Sequence, residues 1–151
     1  MSIAAQLRDK GIELPQPSKA IANYVPIVRS GNHLIVSGQL CFDAKGELYK
    51  GKLGAEVTLE QGQFAARCCG LNLLAQVATE LPDLESIKRV VRLGGFVNAS
   101  PDFIQISAVM NGASDLMVEL FGDRGKHARS TIGVASLPLD AAVELEGTFE
   151  I

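Results

Sequence analysis

Arg129 stands at the mouth of a β-rich run, Ser130 to Ser136. Glu144 lies on the polar face of the next run, Ala142 to Phe149. A guanidinium is planar, permanently charged and shaped to grip a carboxylate through parallel N–H donors. A glutamate can orient or deprotonate water. Each also has an ordinary structural use. A lone arginine at a strand start commonly sits in solvent or in an ion pair. Glu144 alternates with Glu146 and Glu150, as on a solvated strand face. Three carboxylates on one face repel one another and favour a basic neighbour.

Other residues are candidates by position. Ser37-Gly38-Gln39 ends a strand, where the Gly38 backbone and the Ser37 hydroxyl could approach a ligand, or simply turn the chain. Tyr24 is one of two tyrosines and reads as a strand residue with a wet hydroxyl. Asn111 lies mid-helix beside Gly112, a poor place for helix propensity, which fits a local role and equally a polar side chain facing solvent. Cys68 and Cys69 read as small core residues, and no histidine lies near enough in sequence to pair with them. His33 and His127 fall at turns and receive no role. With only two histidines, neither beside a cysteine pair, a zinc site is not expected. The glycines form neither a phosphate-binding loop nor a dinucleotide fingerprint.

The elements that must position these residues can be read from periodicity. Ser2 to Lys10 predicts a short helix. Tyr24 to Arg29 and His33 to Ser37 predict a hairpin around Ser30-Gly31-Asn32. Thr58 with Gln61 fits a capping box that opens a helix ending before Pro82. Ile87 to Val97 is strand-like, and Ser100-Pro101 predicts the start of a second long helix, with Gly122 to Gly125 as its exit loop. The last two strands read as a hairpin about residues 137 to 141. In that register Val134 lies near Glu144 and Arg129 is roughly 16 Å away. The two could then share a substrate only across a subunit boundary.

The order ββ-α-β-α-ββ predicts an α+β sandwich: a sheet of about five strands with both helices on one face. The other face would be bare and available to another subunit. The 151 residues suggest one domain, residues 18–151, preceded by an N-terminal arm, 1–17. Hydrophobic residues make up 47% and charged residues 21%, within the globular range. The net charge of -3 argues against a nucleic-acid partner. No apolar run is long enough to predict a membrane span, and the N-terminus has no signal-peptide pattern. Three cysteines without a spaced framework suggest reduced thiols and a cytoplasmic protein.

Several segments, in order and spacing, resemble the RidA/YjgF family of enamine/imine deaminases. They are Ala20-Ile21-Ala22-Asn23-Tyr24, Leu34-Ile35-Val36-Ser37-Gly38-Gln39, the Ile87–Val97 strand, Asn111, Ala128-Arg129-Ser130, and Leu137-Pro138 through Val143-Glu144-Leu145-Glu146. The resemblance runs from about Ser18 to Ile151. It implies a chorismate-mutase-like fold, a homotrimer around a central β-barrel and ligand clefts between subunits. It also implies that Arg129 binds the carboxylate of a 2-imino or 2-enamino acid and that Glu144 helps activate water. Tyr24, Ser37, Gly38 and Asn111 would line the cleft, with no metal or organic cofactor. There are departures from the family pattern. Thr131 stands where a cysteine often follows Ala-Arg-Ser, which makes it a cleft contact without a thiol. Ala22-Asn23 replaces the usual Gly-Pro, and Leu40-Cys41 the usual Ile-Pro. The middle helix region, Asn111-Gly112-Ala113-Ser114-Asp115, and the N-terminal arm resemble those of a longer subgroup. For that subgroup the alternative to a deaminase is a non-catalytic trimer that binds 2-oxo acids or related carboxylates, or is regulatory.

Overall fold

The computed structural model describes residues 1–20 and 22–151. Ile21, part of one motif segment above, lies outside them. The elements are α1 (Ile3–Asp9), β1 (Ile27–Ser30), β2 (His33–Leu40), α2 (Leu59–Val77), β3 (Arg89–Asn98), α3 (Ile106–Phe121), β4 (Ala128–Val134) and β5 (Val143–Glu150). The strands form one sheet in the order β1-β2-β5-β3-β4. The fold is the expected α+β arrangement, with α2 and α3 packed together and α2 laid against β2 and β5.

Local chemistry accounts for the element ends. The Thr58 hydroxyl accepts the Gln61 N–H at 3.2 Å, and the Gln61 side chain accepts the Thr58 N–H at 2.9 Å, so the capping box opens α2. α3 starts at Ile106, later than Ser100-Pro101 suggests. The Ser100 N–H is committed to the Leu53 carbonyl at 2.9 Å, and the Phe103 N–H turns back to Ser100 at 3.1 Å. A turn fastened to another loop cannot also be a first helical turn. β1 likewise begins only at Ile27, so Tyr24 precedes it and is 53% exposed.

The expected terminal hairpin does not form. β5 inserts between β2 and β3, antiparallel to both, and β4 pairs in parallel with the far side of β3. Burial explains the choice. Val143, Leu145 and Phe149 of β5 are fully buried, whereas β4 has no buried residue. Each large apolar side chain taken from water stabilises by about 1.5–3 kcal/mol, so the central place goes to the strand with the inward apolar row. The same alternation leaves Glu144, Glu146, Thr148 and Glu150 on the face away from the helices.

α1 lies against α3. Ile3 is buried, the Gln6 amide donates to the Leu120 carbonyl at 3.3 Å, and Lys10 pairs with Glu119 at 2.9 Å. Where α2 and α3 cross, Gly112 meets the Gln63 backbone so closely that a Cβ would collide with it. The glycine that weakens the helix locally is what lets the two helices touch.

Candidate active site

Along β4, Arg129, Thr131 and Gly133 alternate toward the helix layer, and Gly133 sits beneath Ile106 of α3. Arg129 Nη1 donates to Asn111 Oδ1 and to Ser114 Oγ, each at 2.9 Å. Asn111 and Ser114 stand three apart on α3, and therefore on one helix face. The hydrogen-bond order behind Ser114 follows from a carbonyl. His127 Nδ1 is 2.6 Å from the Gly125 carbonyl oxygen, which can only accept, so Nδ1 carries the proton. In the neutral ring Nε2 is then an acceptor, and the Ser114 hydroxyl donates to it at 2.9 Å. That leaves the Ser114 oxygen lone pairs for Arg129.

This guanidinium is held by neutral acceptors alone. Among the described residues no carboxylate pairs with it. The ion-pair role open to Arg129 in the sequence is therefore not the one adopted. Beside it, Thr131 Oγ1 is buried without a hydrogen-bond partner, the only such side-chain atom among the described residues. An orphaned buried hydroxyl costs about 1–3 kcal/mol. A positive fork and an unsatisfied hydroxyl on one strand face are suited to an anionic, oxygen-bearing ligand.

The second group lies across the sheet. The β2–β5 register shifts between Val36 and Gln39, so Ser37 and Gly38 together oppose a single residue, Glu146. This bulge turns both Ser37 and Gly38 to the open face and returns Gln39 to the interior, where it is 4% exposed. Glu144 packs over Gly38, and a side chain at Gly38 would occupy the place of its carboxylate. Burial, and then the negative charge of Glu146, raise the Glu144 pKa above the ordinary carboxylate value of 4.5. Arg92 supplies the basic neighbour, 4.0 Å from Glu146. The Ser37 hydroxyl donates to the Val25 carbonyl at 2.8 Å and so fastens the segment that carries Tyr24.

The candidates thus form two clusters. Arg129, Asn111 and Thr131 are together on the helix side; Tyr24, Ser37, Gly38 and Glu144 are together on the open side. Glu144 is level with Phe96 and Ile132, and Arg129 with Leu93 and Gly147. Two strand spacings and three residues of rise separate Arg129 from Glu144, about 14 Å through the sheet. Within one chain they cannot meet. The hairpin register is replaced, but the separation it implied survives on a different geometry.

Ser114 and His127 were not candidates in the sequence. The available signal was Ser114 three residues after Asn111, together with His127 just ahead of β4, two residues before Arg129. The cysteines are free and buried. Among the described residues no three His, Cys, Asp or Glu side chains are grouped to hold a metal, and no helix is long and apolar enough to cross a membrane.

This geometry has relatives. The family described as "YjgF/chorismate_mutase-like, putative endoribonuclease" matches residues 4–146. The chain belongs to the RidA/YjgF family. It is 47% identical over 150 residues to Protein TCP17 of Trypanosoma cruzi, which covers 99% of this chain and 94% of that one. Two solved structures superpose closely. Atu1372 of Agrobacterium tumefaciens, a protein of unknown function, is 43% identical with a TM-score of 0.90, over 99% of this chain and 92% of its own. A Shewanella oneidensis MR-1 protein bearing the same endoribonuclease description is 34% identical with a TM-score of 0.96, over all of both chains. This RidA/YjgF chain therefore has the chorismate-mutase-like fold of its family, and the two clusters lie on that shared scaffold.

Proposed function

We propose that the protein hydrolyses 2-imino or 2-enamino acids to 2-oxo acids and ammonia, in a cleft completed by two copies of the chain. Arg129 of one copy grips the substrate carboxylate, beside Asn111 and Thr131. Glu144 of a neighbouring copy, with Tyr24, Ser37 and Gly38 around it, takes a proton from water as the water oxygen bonds to C2. A 2-enamino acid first gains a proton from solvent at C3 and so becomes the imine. The C=N electron pair moves to nitrogen, which takes the proton held by Glu144. The resulting carbinolamine passes its hydroxyl proton by way of Glu144 to nitrogen, the C–N bond breaks, and ammonia and the 2-oxo acid leave. The imine carbon is already electrophilic, so positioning and one proton acceptor suffice. No metal or organic cofactor enters this scheme.

The observation that carries the reading is the Arg129 guanidinium, held by Asn111 and Ser114 and unmatched by any carboxylate among the described residues. The Glu144 pKa, raised by burial and by Glu146, makes it a stronger proton acceptor than an ordinary carboxylate. The homotrimer, closed around the open sheet faces as a barrel, is the assembly that brings the two clusters together. The arm, 1–17, and the domain, 18–151, act as one unit, and the buried free thiols suit the reducing cytoplasm. The net charge of -3 and the glutamate-rich open face do not favour an RNA backbone as substrate.

The test is 2-oxo acid release from 2-iminopropanoate, generated in situ by an amino-acid oxidase. Wild type accelerates release over background. Arg129→Ala lowers kcat/KM by about 100-fold or more while its sedimentation coefficient is unchanged, since a charge-assisted carboxylate contact is worth about 1.5–3 kcal/mol and also orients the substrate. A wild type that fails to accelerate release but binds 2-oxo acids through Arg129 is a binding protein on the same fold.

A further inference from the structure

The turn that enters β5 is built from residues that do not favour it. Pro138-Leu139-Asp140-Ala141 closes with the Ala141 N–H on the Pro138 carbonyl at 3.1 Å. Both central residues are left-handed: Leu139 has φ 58° and ψ 18°, and Asp140 has φ 60°. Such mirror-image turns are unstrained with Asn-Gly or Asp-Gly at the centre. Among the described residues these are the only non-glycines with positive φ.

Asp140 has a local reason to be there. Its carboxylate accepts the amide of buried Asn98 at 3.1 Å, and its carbonyl accepts the Gly51 N–H at 2.9 Å. Lys52 Nζ in turn donates to Asn98 Oδ1 at 2.8 Å. Leu139 has no such reason. Its side chain is 65% exposed and packs against no part of the core. The turn is held by its neighbours, and it presents a leucine outward at a cost in backbone strain.

What Leu139 does face is a small cavity of about 140 Å³, shared with Tyr24, Gly38, Leu40 and Phe42. Whole-ligand pockets run to roughly 300–1,000 Å³, so this one is the size of a side chain. Lys19 also lines it. The polar groups around it are turned to the protein: the Asn72 amide donates to the Leu40 and Phe42 carbonyls at 3.3 and 2.8 Å, and Ser18 Oγ donates to Gln39 Oε1 at 3.1 Å. The wall left for a ligand is mainly apolar. Gly38, on which the Glu144 carboxylate rests, belongs to this wall, so the cavity and Glu144 share one backbone neighbour.

We infer that Leu139 is a specificity residue. It walls the pocket that takes the side chain of the imino acid, and the substrate class is 2-imino acids with branched aliphatic side chains. This rests on the reading of Glu144, Gly38 and Tyr24 as one half of the hydrolytic site.

Leu139→Asn and Leu139→Gly separate this role from a structural one, because both residues accept the left-handed conformation. Both variants should raise Tm by about 2–4 °C by relieving strain. Wild type should prefer the imine derived from leucine to that from alanine by about tenfold or more in kcat/KM, and both variants should bring the ratio near unity. A wild type without the preference, or variants that keep it, overturns the inference. Titration of wild type and Arg129→Ala with 4-methyl-2-oxopentanoate and pyruvate tells the two failures apart. Affinity that depends on Arg129 but favours neither acid overturns the role of Leu139 alone. Absence of any Arg129-dependent affinity overturns the site reading and this inference with it.

Discussion

At the scale of single residues, the two charged groups are prepared in opposite ways. Arg129 is left without a counter-charge and is steadied by an amide and a hydroxyl, which fix its plane without neutralising it. Glu144 is pressed into a partly desolvated place beside another carboxylate, which favours its protonated form. A carboxylate whose folded pKa is raised binds more protons when folded than when unfolded, so folding loses stability as pH rises from the ordinary value through the raised one. Glu144→Gln should therefore be more heat-stable than wild type at pH 8, with the advantage fading below pH 4.5, where both side chains are neutral. Thermal melts at pH 4 and pH 8 check this. The same variant should lose most of the deaminase activity, and the acidic limb of the wild-type kcat/KM profile should lie above the usual glutamate range.

At the scale of elements, close backbone approaches decide where these groups stand. The bulge at Ser37-Gly38 turns two successive residues to one face and leaves room for Glu144. Gly112 lets α3 press against α2 at Gln63, one residue after Asn111, the acceptor for Arg129. Gly112→Ala sets two effects against each other. Alanine gains up to about 1 kcal/mol of helix propensity, whereas a Cβ forced into backbone across a packed interface costs about 1–3 kcal/mol or more. The collision wins: chemical denaturation should show a net loss of stability, and Kd for 2-oxo acids should rise because Asn111 and Ser114 move with the helix. A Gly112→Ala variant as stable as wild type would mean that the helices separate without cost.

At the scale of the whole molecule, the sheet divides the proposed site. Arg129 is on the helix side and Glu144 on the open side, about 14 Å apart through the sheet. The open face also shows Val28, Ile35 and Ile132, each about half exposed, a pattern suited to cover by further copies. If each cleft takes its arginine from one copy and its glutamate from the next, Arg129→Ala and Glu144→Gln should complement. Each variant alone is inactive. Refolded together at equal ratio, they should recover about a quarter of wild-type activity, because one junction in four then joins an intact arginine to an intact glutamate. Mixtures that stay inactive, although a tag on one variant pulls down the other, would rule out a shared cleft.

The sequence alone determined most of the elements and named the residues from which the proposed site is built. Thr58 and Gln61 announce a helix start, the β5 alternation separates its buried row from its glutamates, and the Ala-Arg-Ser and Leu-Pro segments carry the family. These are local patterns, set by backbone propensity and by the period of each element. The tertiary structure decided strand order, and with it which candidates meet. Whether β5 pairs with β4 or passes between β2 and β3 depends on how much apolar surface each arrangement buries, a sum over the whole sheet that no segment contains. The bulge that turns Gly38 toward Glu144, the His127–Ser114–Arg129 chain and the strained Leu139 turn were likewise not legible in the sequence. Each is a local cost or an unusual geometry held in place by contacts from distant parts of the chain.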